Sequence, residues 1–291
     1  MLIDSHCHIQ FSGFDEDRKE VLERCKEKNM RILHAIGTQS DTSKKAVDLA
    51  LESSYVYASV GIHPIQHYAV DVEEEGTSFK SRGEEFDEEF FDELVLSGKV
   101  IGIGETGLDK YHIPNGEEGK KAFEAQKELF QKHIDFAVKH EKPLVIHVRD
   151  GKDPEEVSAH EDMIAILEEN KKKYAEKLRG VIHCFSGNLE QAKKYLDLGF
   201  YLGFAGNLTF PPKKTNPKPQ EDLLEVLDFI PVDRTLIETD APFLAPQKYR
   251  GKKCEPWMCE EVLFFIAERH DLDVKKVEER IEKNFFELFG V

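Results

Sequence analysis

The stretch Leu2–His8 (LIDSHCH) starts as a short apolar run and ends in two histidines spaced i, i+2. Side chains alternate along an extended strand, so His6 and His8 leave the chain on one side and can hold one cation together. The same design recurs further along. Val100–Gly104 (VIGIG) runs into Glu105, Pro143–His147 (PLVIH) and Gly180–His183 (GVIH) each end in a histidine, and Thr235–Glu238 (TLIE) leads to Asp240. Buried strands that terminate in an imidazole or a carboxylate are what a barrel requires when its strand ends converge on one mouth.

Three more runs complete a set of eight candidate strands: Arg31–Gly37, Tyr55–Gly61 and Phe200–Phe204. All are short and nearly continuous in hydrophobicity, as parallel strands covered on both faces are. Amphipathic stretches fall between or after them, at Asp15–Lys28, Ser43–Ser53, Gly119–His140, Asp162–Lys177, Leu189–Leu198, Gln220–Phe229, Cys259–Arg269 and Val274–Phe289. This alternation predicts an α/β fold, a single (β/α)8 TIM-like barrel over residues 1–291, with its active site at the C-terminal ends of the strands. A doubly wound open sheet is the alternative, and no GxGxxG or Walker-type loop supports it. Two polar stretches, Val70–Glu89 and Gly151–Glu161, read as solvated loops or extended helix starts.

Composition narrows the class. The 291 residues are 40% hydrophobic and 33% charged, too apolar for a disordered chain. No run approaches the ~18–20 apolar residues that span a bilayer. The first residues lack the basic-then-apolar pattern of a secretory signal, and the five cysteines are scattered without a CxxC pair. The expectation is a cytoplasmic protein with reduced thiols and no membrane partner. A net charge of −17 means that no general positive field gathers a ligand.

Four histidines and two carboxylates at five strand ends suffice for two divalent cations, whereas one tetrahedral site needs four ligands. The expected division gives His6, His8 and Asp240 to one cation and His147 and His183 to the other, with Glu105 bridging. Burying so many polar groups together without a metal or a reaction would be costly.

These blocks carry a resemblance. Asp4–His8 is similar to the DxHxH signature of the amidohydrolase superfamily. Gly61–Pro64 (GIHP), Gly104–Asp109 (GETGLD), His147–Asp150 (HVRD), His183–Gly187 (HCFSG), Glu238–Leu244 (ETDAPFL) and Asn284–Phe289 (NFFELF) resemble, in order, the TatD family of metal-dependent DNases. The resemblance implies a TIM-like barrel, a divalent-metal centre in which Mg2+ can serve, and hydrolysis of DNA phosphodiesters, often from the 3′ end. Two positions depart from the family pattern: Lys110 precedes Tyr111 where paired aromatics are common, and Cys254 stands where asparagine is usual.

Asp240, at the water-bearing cation, is the natural general base, with a helix N-cap as its structural alternative. His63 faces the same mouth and is expected to contact the scissile phosphate or orient a ligand, unless it is only a turn histidine set by Pro64. Arg149 could hold phosphate bidentately or pair with Asp150, and Arg250 could hold the DNA backbone. Imidazole-rich ligation favours Zn2+, Mn2+ or Fe2+. The expected partner is DNA, contacted briefly at a strand end by a monomer that needs no obligate protein partner. Ester cleavage at the 3′ end of a nucleic acid, such as D-aminoacyl-tRNA deacylation, is the second hydrolase reading. A cyclic-amide or phosphotriester hydrolase would bridge its metals with a carboxylated lysine, but Glu105 holds that position. An inactive metal-binding or scaffold protein is the reading from another class.

Overall fold

The computed structural model describes residues 1–67, 71–74, 77–80, 83–153 and 157–291, with the backbone alone for 71–74 and 77–80. Its strands are β1 (Leu2–Cys7), β2 (Met30–Ile36), β3 (Val56–Val60), β4 (Asp71–Glu74), β5 (Thr77–Lys80), β6 (Val100–Asp109), β7 (Leu144–Arg149), β8 (Gly180–Ile182), β9 (Tyr201–Phe204) and β10 (Thr235–Ile237). Eight of them form one sheet in the order β1-β2-β3-β6-β7-β8-β9-β10, parallel throughout. A parallel bridge between Cys7 and Ala241 brings the last strand back to the first, so the sheet is a nearly closed barrel. This is the eight-stranded barrel that the apolar runs predict.

Helices α1 (Arg18–Glu27), α2 (Ser40–Glu52), α3 (Glu88–Val95), α4 (Gly116–Lys139), α5 (Ala159–Tyr174), α6 (Leu189–Asp197), α7 (Lys218–Phe229), α8 (Cys259–Arg269) and α9 (Val274–Phe289) accompany them. α1, α2 and α4–α9 fall within or close to the predicted amphipathic stretches. The polar stretch 70–89, expected as a solvated loop or an extended helix start, is corrected in part. It contains the antiparallel hairpin β4–β5 and the start of α3, whose Phe91 and Val95 are buried. Acidic residues masked that helix in the sequence, although Asp87 caps it by accepting the Phe90 N–H. Beside the second polar stretch, Asp150 Oδ1 accepts from Ser158 Oγ (2.8 Å) and the Ala159 N–H (2.6 Å), fixing the first turn of α5.

The lower end of the barrel is plugged. Phe285, Leu288 and Phe289 of α9 pack on Ile3, Ile32, Ile101, Val145, Val181 and Leu236, which sit at or near the starts of their strands. Burying a side chain such as Phe285 contributes about 2–3 kcal/mol. The polar residues come late in the same strands, so one end of the barrel is apolar and the other carries the chemistry. Among the described residues no helix is long and apolar enough to cross a membrane, and all five cysteines are free thiols.

Candidate metal centre

Backbone hydrogen bonds build the mouth where β1 meets the end of β10. The Asp4 carboxylate, fully buried, accepts from the His6 N–H (3.1 Å), the Thr239 N–H (3.0 Å) and Thr239 Oγ (2.6 Å). The Asp240 N–H donates to the His6 carbonyl (2.9 Å), and the His8 N–H to that of Ala241 (2.7 Å). His6, His8 and Asp240 are therefore locked to one another through the chain itself. Asp240 adopts a left-handed φ of 62°, a conformation that costs a non-glycine residue on the order of 1 kcal/mol. No helix starts there, so Asp240 is not an N-cap.

Glu105 enters from β6, which runs to Asp109 rather than ending near Gly104 as expected. A Cβ on Gly104 would strike the Val145 carbonyl, and one on Gly61 would lie 2.9 Å from Gly104. Glycine at both positions lets β3, β6 and β7 close up, and the Glu105 N–H donates to the Gly37 carbonyl at 2.8 Å.

The Glu105 carboxylate is the hub of the cluster. Its Oε1 lies 2.9 Å from His183 Nε2, 3.2 Å from His147 Nδ1 and 3.3 Å from His63 Nε2. Its Oε2 lies 3.4 Å from His6 Nε2 and 3.6 Å from His8 Nε2. Asp240 Oδ1 closes the second side, 3.2 Å from His8 Nε2 and 3.6 Å from His6 Nε2. Burial alone would raise both carboxyls. The surrounding imidazoles, His183, His63 and His6 for Glu105 and chiefly His8 for Asp240, hold them below the usual carboxylate range. Burial would likewise lower His147, yet Asp109 and Glu105 raise it to about 9. The carboxylates favour the charged form of His8, His147 and His183, the charge that a cation would bring, whereas burial keeps His6 and His63 below the ordinary histidine value.

Three sets of donor atoms lie within 4.8 Å of one another: His6/His8/Asp240, His6/Glu105/His183 and His63/Glu105/His147. Ligands at 2.0–2.1 Å in a tetrahedron are about 3.3 Å apart, and the contacts above scatter around that spacing. The Nε2 atoms of His6 and His8 also face each other at 3.3 Å, and the Nδ1 atom of His6 is buried without a hydrogen bond. The residues fit divalent cations. The expected pairing of His147 with His183 is divided here, His183 grouping with His6 and His147 with His63.

Two partners of the histidines escaped sequence reasoning. Asp109 Oδ2 lies 3.0 Å from His147 Nε2 and 3.0 Å from His112 Nδ1. Glu238 Oε1 faces His183 Nδ1 at 3.4 Å and accepts the Cys184 N–H. Carboxylates of this kind fix the tautomer and raise the basicity of a ligating imidazole. Asp109 was legible in principle, since Glu105 and Asp109 share a parity on one strand. Glu238 sits two residues before Asp240 in the same way.

Of the two arginines, Arg149 is the last residue of β7 and Arg250 lies in the loop that follows β10. The Arg149 guanidinium covers the Tyr111 ring at 4.0 Å, on the side where β6 and β7 end. Arg250 covers Phe210 at 4.0 Å, between the loops that follow β9 and β10. Asp150 Oδ1 is engaged by α5.

A family model described as TatD related DNase matches residues 3–290. The chain is 35% identical over 291 residues to the uncharacterized metal-dependent hydrolase YabD of Bacillus subtilis, with full coverage of both. It is 31% identical over 293 residues to the uncharacterized metal-dependent hydrolase YcfH of Escherichia coli, covering all of this chain and 96% of that one. The crystal structure of YJJV, a TatD homolog from Escherichia coli, superposes with a TM-score of 0.78 at 24% identity, over 100% of this chain and 98% of the other, and shares the barrel.

Proposed function

Starting from the chain's membership of the TatD-related DNase family, and hence from a metal-dependent hydrolase, we propose that it cleaves DNA phosphodiester bonds as a 3′–5′ exonuclease on single-stranded or frayed ends. The observation that carries this reading is the hub geometry of Glu105, with one carboxylate oxygen toward His147 and His183 and the other toward His6 and His8. A carboxylate so divided can hold two cations side by side, the arrangement that suits in-line displacement at phosphorus.

His6, His8 and Asp240 would hold one cation, and His147 and His183, which in this structure meet only through Glu105 Oε1, would close on the other, with Glu105 between them. Mg2+, Mn2+ or Zn2+ bound there would polarise the phosphoryl oxygens and make a water acidic enough to attack near neutral pH. With the cations in place, Asp240 would accept the proton of the attacking water on its carboxylate. It is the more open of the two acids, with its side chain 17% exposed against 4% for Glu105, so it meets solvent while Glu105 stays inside. His8, 3.2 Å from Asp240 Oδ1, keeps that carboxylate anionic and ready to accept. Arg149 and Arg250 steady the phosphates on either side.

The net charge of −17 fits this division of labour. Duplex binders gain affinity when a basic stripe neutralises phosphates and sets their counterions free. Here Lys213-Lys214 and Lys248–Lys253 are only local clusters, so binding is short in footprint and weak in sequence preference. The test is hydrolysis of a 3′-labelled oligonucleotide by wild type, Glu105→Ala and Asp240→Asn, after chelation and re-addition of single metals. Both variants are expected to lose on the order of 10³-fold in rate. Equal product from all three removes the mechanism, and turnover confined to aminoacyl-tRNA replaces DNA as substrate.

A further inference from the structure

His63 follows β3, and its Nε2 lies 3.3 Å from Glu105 Oε1, with its ring edge-on to His147 at a centroid distance of 4.3 Å. Proximity alone would make it a ligand. Its other nitrogen decides otherwise. His63 Nδ1 accepts the Ile65 backbone N–H at 3.2 Å. A neutral imidazole has one N–H and one bare nitrogen, so with Nδ1 accepting, the proton sits on Nε2, the atom that faces the cluster.

His8 and His147 are wired the opposite way. His8 Nδ1–H donates to the Ile36 carbonyl (2.8 Å) and His147 Nε2–H to Asp109 (3.0 Å), so a cation that displaces the second proton meets a bare nitrogen on the cluster side of each ring. For His63 to bind a cation through Nε2, its proton would have to move to Nδ1 and confront the Ile65 N–H. Two donors would then face each other in a buried turn, and an unsatisfied buried donor costs about 1–3 kcal/mol.

The turn that holds the ring is itself anchored. The Ile62 N–H donates to His133 Nε2 (3.0 Å), and His133 Nδ1–H to the Leu129 carbonyl (2.9 Å) within α4. The His63 N–H donates to the Thr38 carbonyl at 2.8 Å. Burial pushes His133 down to about 4, so near neutral pH its Nε2 remains an acceptor.

We propose that His63 is not a metal ligand but the hydrogen-bond donor that presents Nε2–H to a non-bridging phosphoryl oxygen beside Glu105, and that His133 is the positioning residue that holds its turn. The proposal rests on the phosphodiester reading given above. An N–H held toward an oxygen on which negative charge grows is the feature that stabilises such a transition state.

Five proteins test it: wild type, His63→Gln, His63→Ala, His147→Gln and His133→Gln. Each is assayed for metal content, the visible spectrum of bound Co2+, and kcat and KM on a 3′-labelled oligonucleotide, with 15N NMR of the His63 ring in wild type. Both His63 variants are expected to keep wild-type metal content and spectrum while His147→Gln loses them. NMR should show Nε2–H. kcat should fall ~10²–10³-fold in His63→Ala and recover in part in His63→Gln, whose amide supplies an N–H. His133→Gln should leave metal content intact, lower kcat and blur the His63 nitrogen signature, a change that general destabilisation would not produce. Metal loss in His63→Gln matching that of His147→Gln, an Nδ1–H tautomer, or full turnover in metal-replete His63→Ala overturns the proposal. A wild type that cleaves no oligonucleotide removes the phosphodiester reading, while metal content and the nitrogen signature still uphold or overturn the tautomer.

Discussion

At the lower end of the barrel His34 is buried as completely as His6 is at the mouth, yet the two rings face different surroundings. His34 Nδ1–H donates to the Ser5 carbonyl (3.1 Å), its Nε2 accepts from Ser59 Oγ (2.7 Å), and Phe289 packs edge-on at 4.7 Å. Both nitrogens are satisfied by neutral partners, and burial pushes the group down to about 3. His6 instead shares its space with Glu105, Asp240 and two further imidazoles. Burial is common to the two, so it cannot be what separates a structural histidine from a functional one. The partners do that: a ring with both nitrogens committed is finished, whereas a ring aimed at carboxylates leaves room for a cation.

This contrast can be broken, most forcefully at the plug. Phe289→Ala opens a cavity under the strands and should cost about 3–5 kcal/mol of stability. Urea unfolding checks that figure, and metal content of the folded fraction should match wild type. Coupled loss of metal in the folded protein would show that the two ends are not independent.

A smaller effect is expected at the junction of the centre with its surroundings. Asp109→Asn keeps the shape of the His147 partner but removes its charge, and should weaken metal affinity or turnover by ~10–100-fold. Competition with a chelator measures it, and an unchanged affinity would demote Asp109 to a packing role.

The smallest effect is read in the pH dependence of stability. His34 has an ordinary value near 6.5 when unfolded and about 3 when folded. Between those values the unfolded chain binds the extra proton, so the stabilisation is complete above pH 6.5 and is lost as pH falls toward 3. From pH 6.5 to 5 this amounts to about 2 kcal/mol. Urea midpoints of wild type and His34→Gln, both stripped of metal, should diverge at neutral pH and converge by that amount at pH 5. Parallel lines would mean that His34 is solvated before the chain unfolds.

The barrel was legible because parallel strands buried on both faces write themselves as short apolar runs. The clearest site residues were legible because those runs end in histidine and acid. The helix α3 was not fixed, since its buried face is Phe91 and Val95 at the end of a long acidic stretch that reads equally as loop or helix start. Asp109 shares the parity of Glu105, but that parity counts only because β6 carries strand geometry past the glycines at which the apolar run stops.

The sequence by itself determined which side chains stand at the mouth, because alternation and strand order are local properties of the chain. Only the tertiary structure decided what each of them does there. Whether an imidazole offers a lone pair or a proton depends on what its other nitrogen meets: the Ile36 carbonyl for His8, Asp109 for His147 and the Ile65 N–H for His63. The first two of those partners come from other strands, and the third comes from a turn whose shape a distant helix holds.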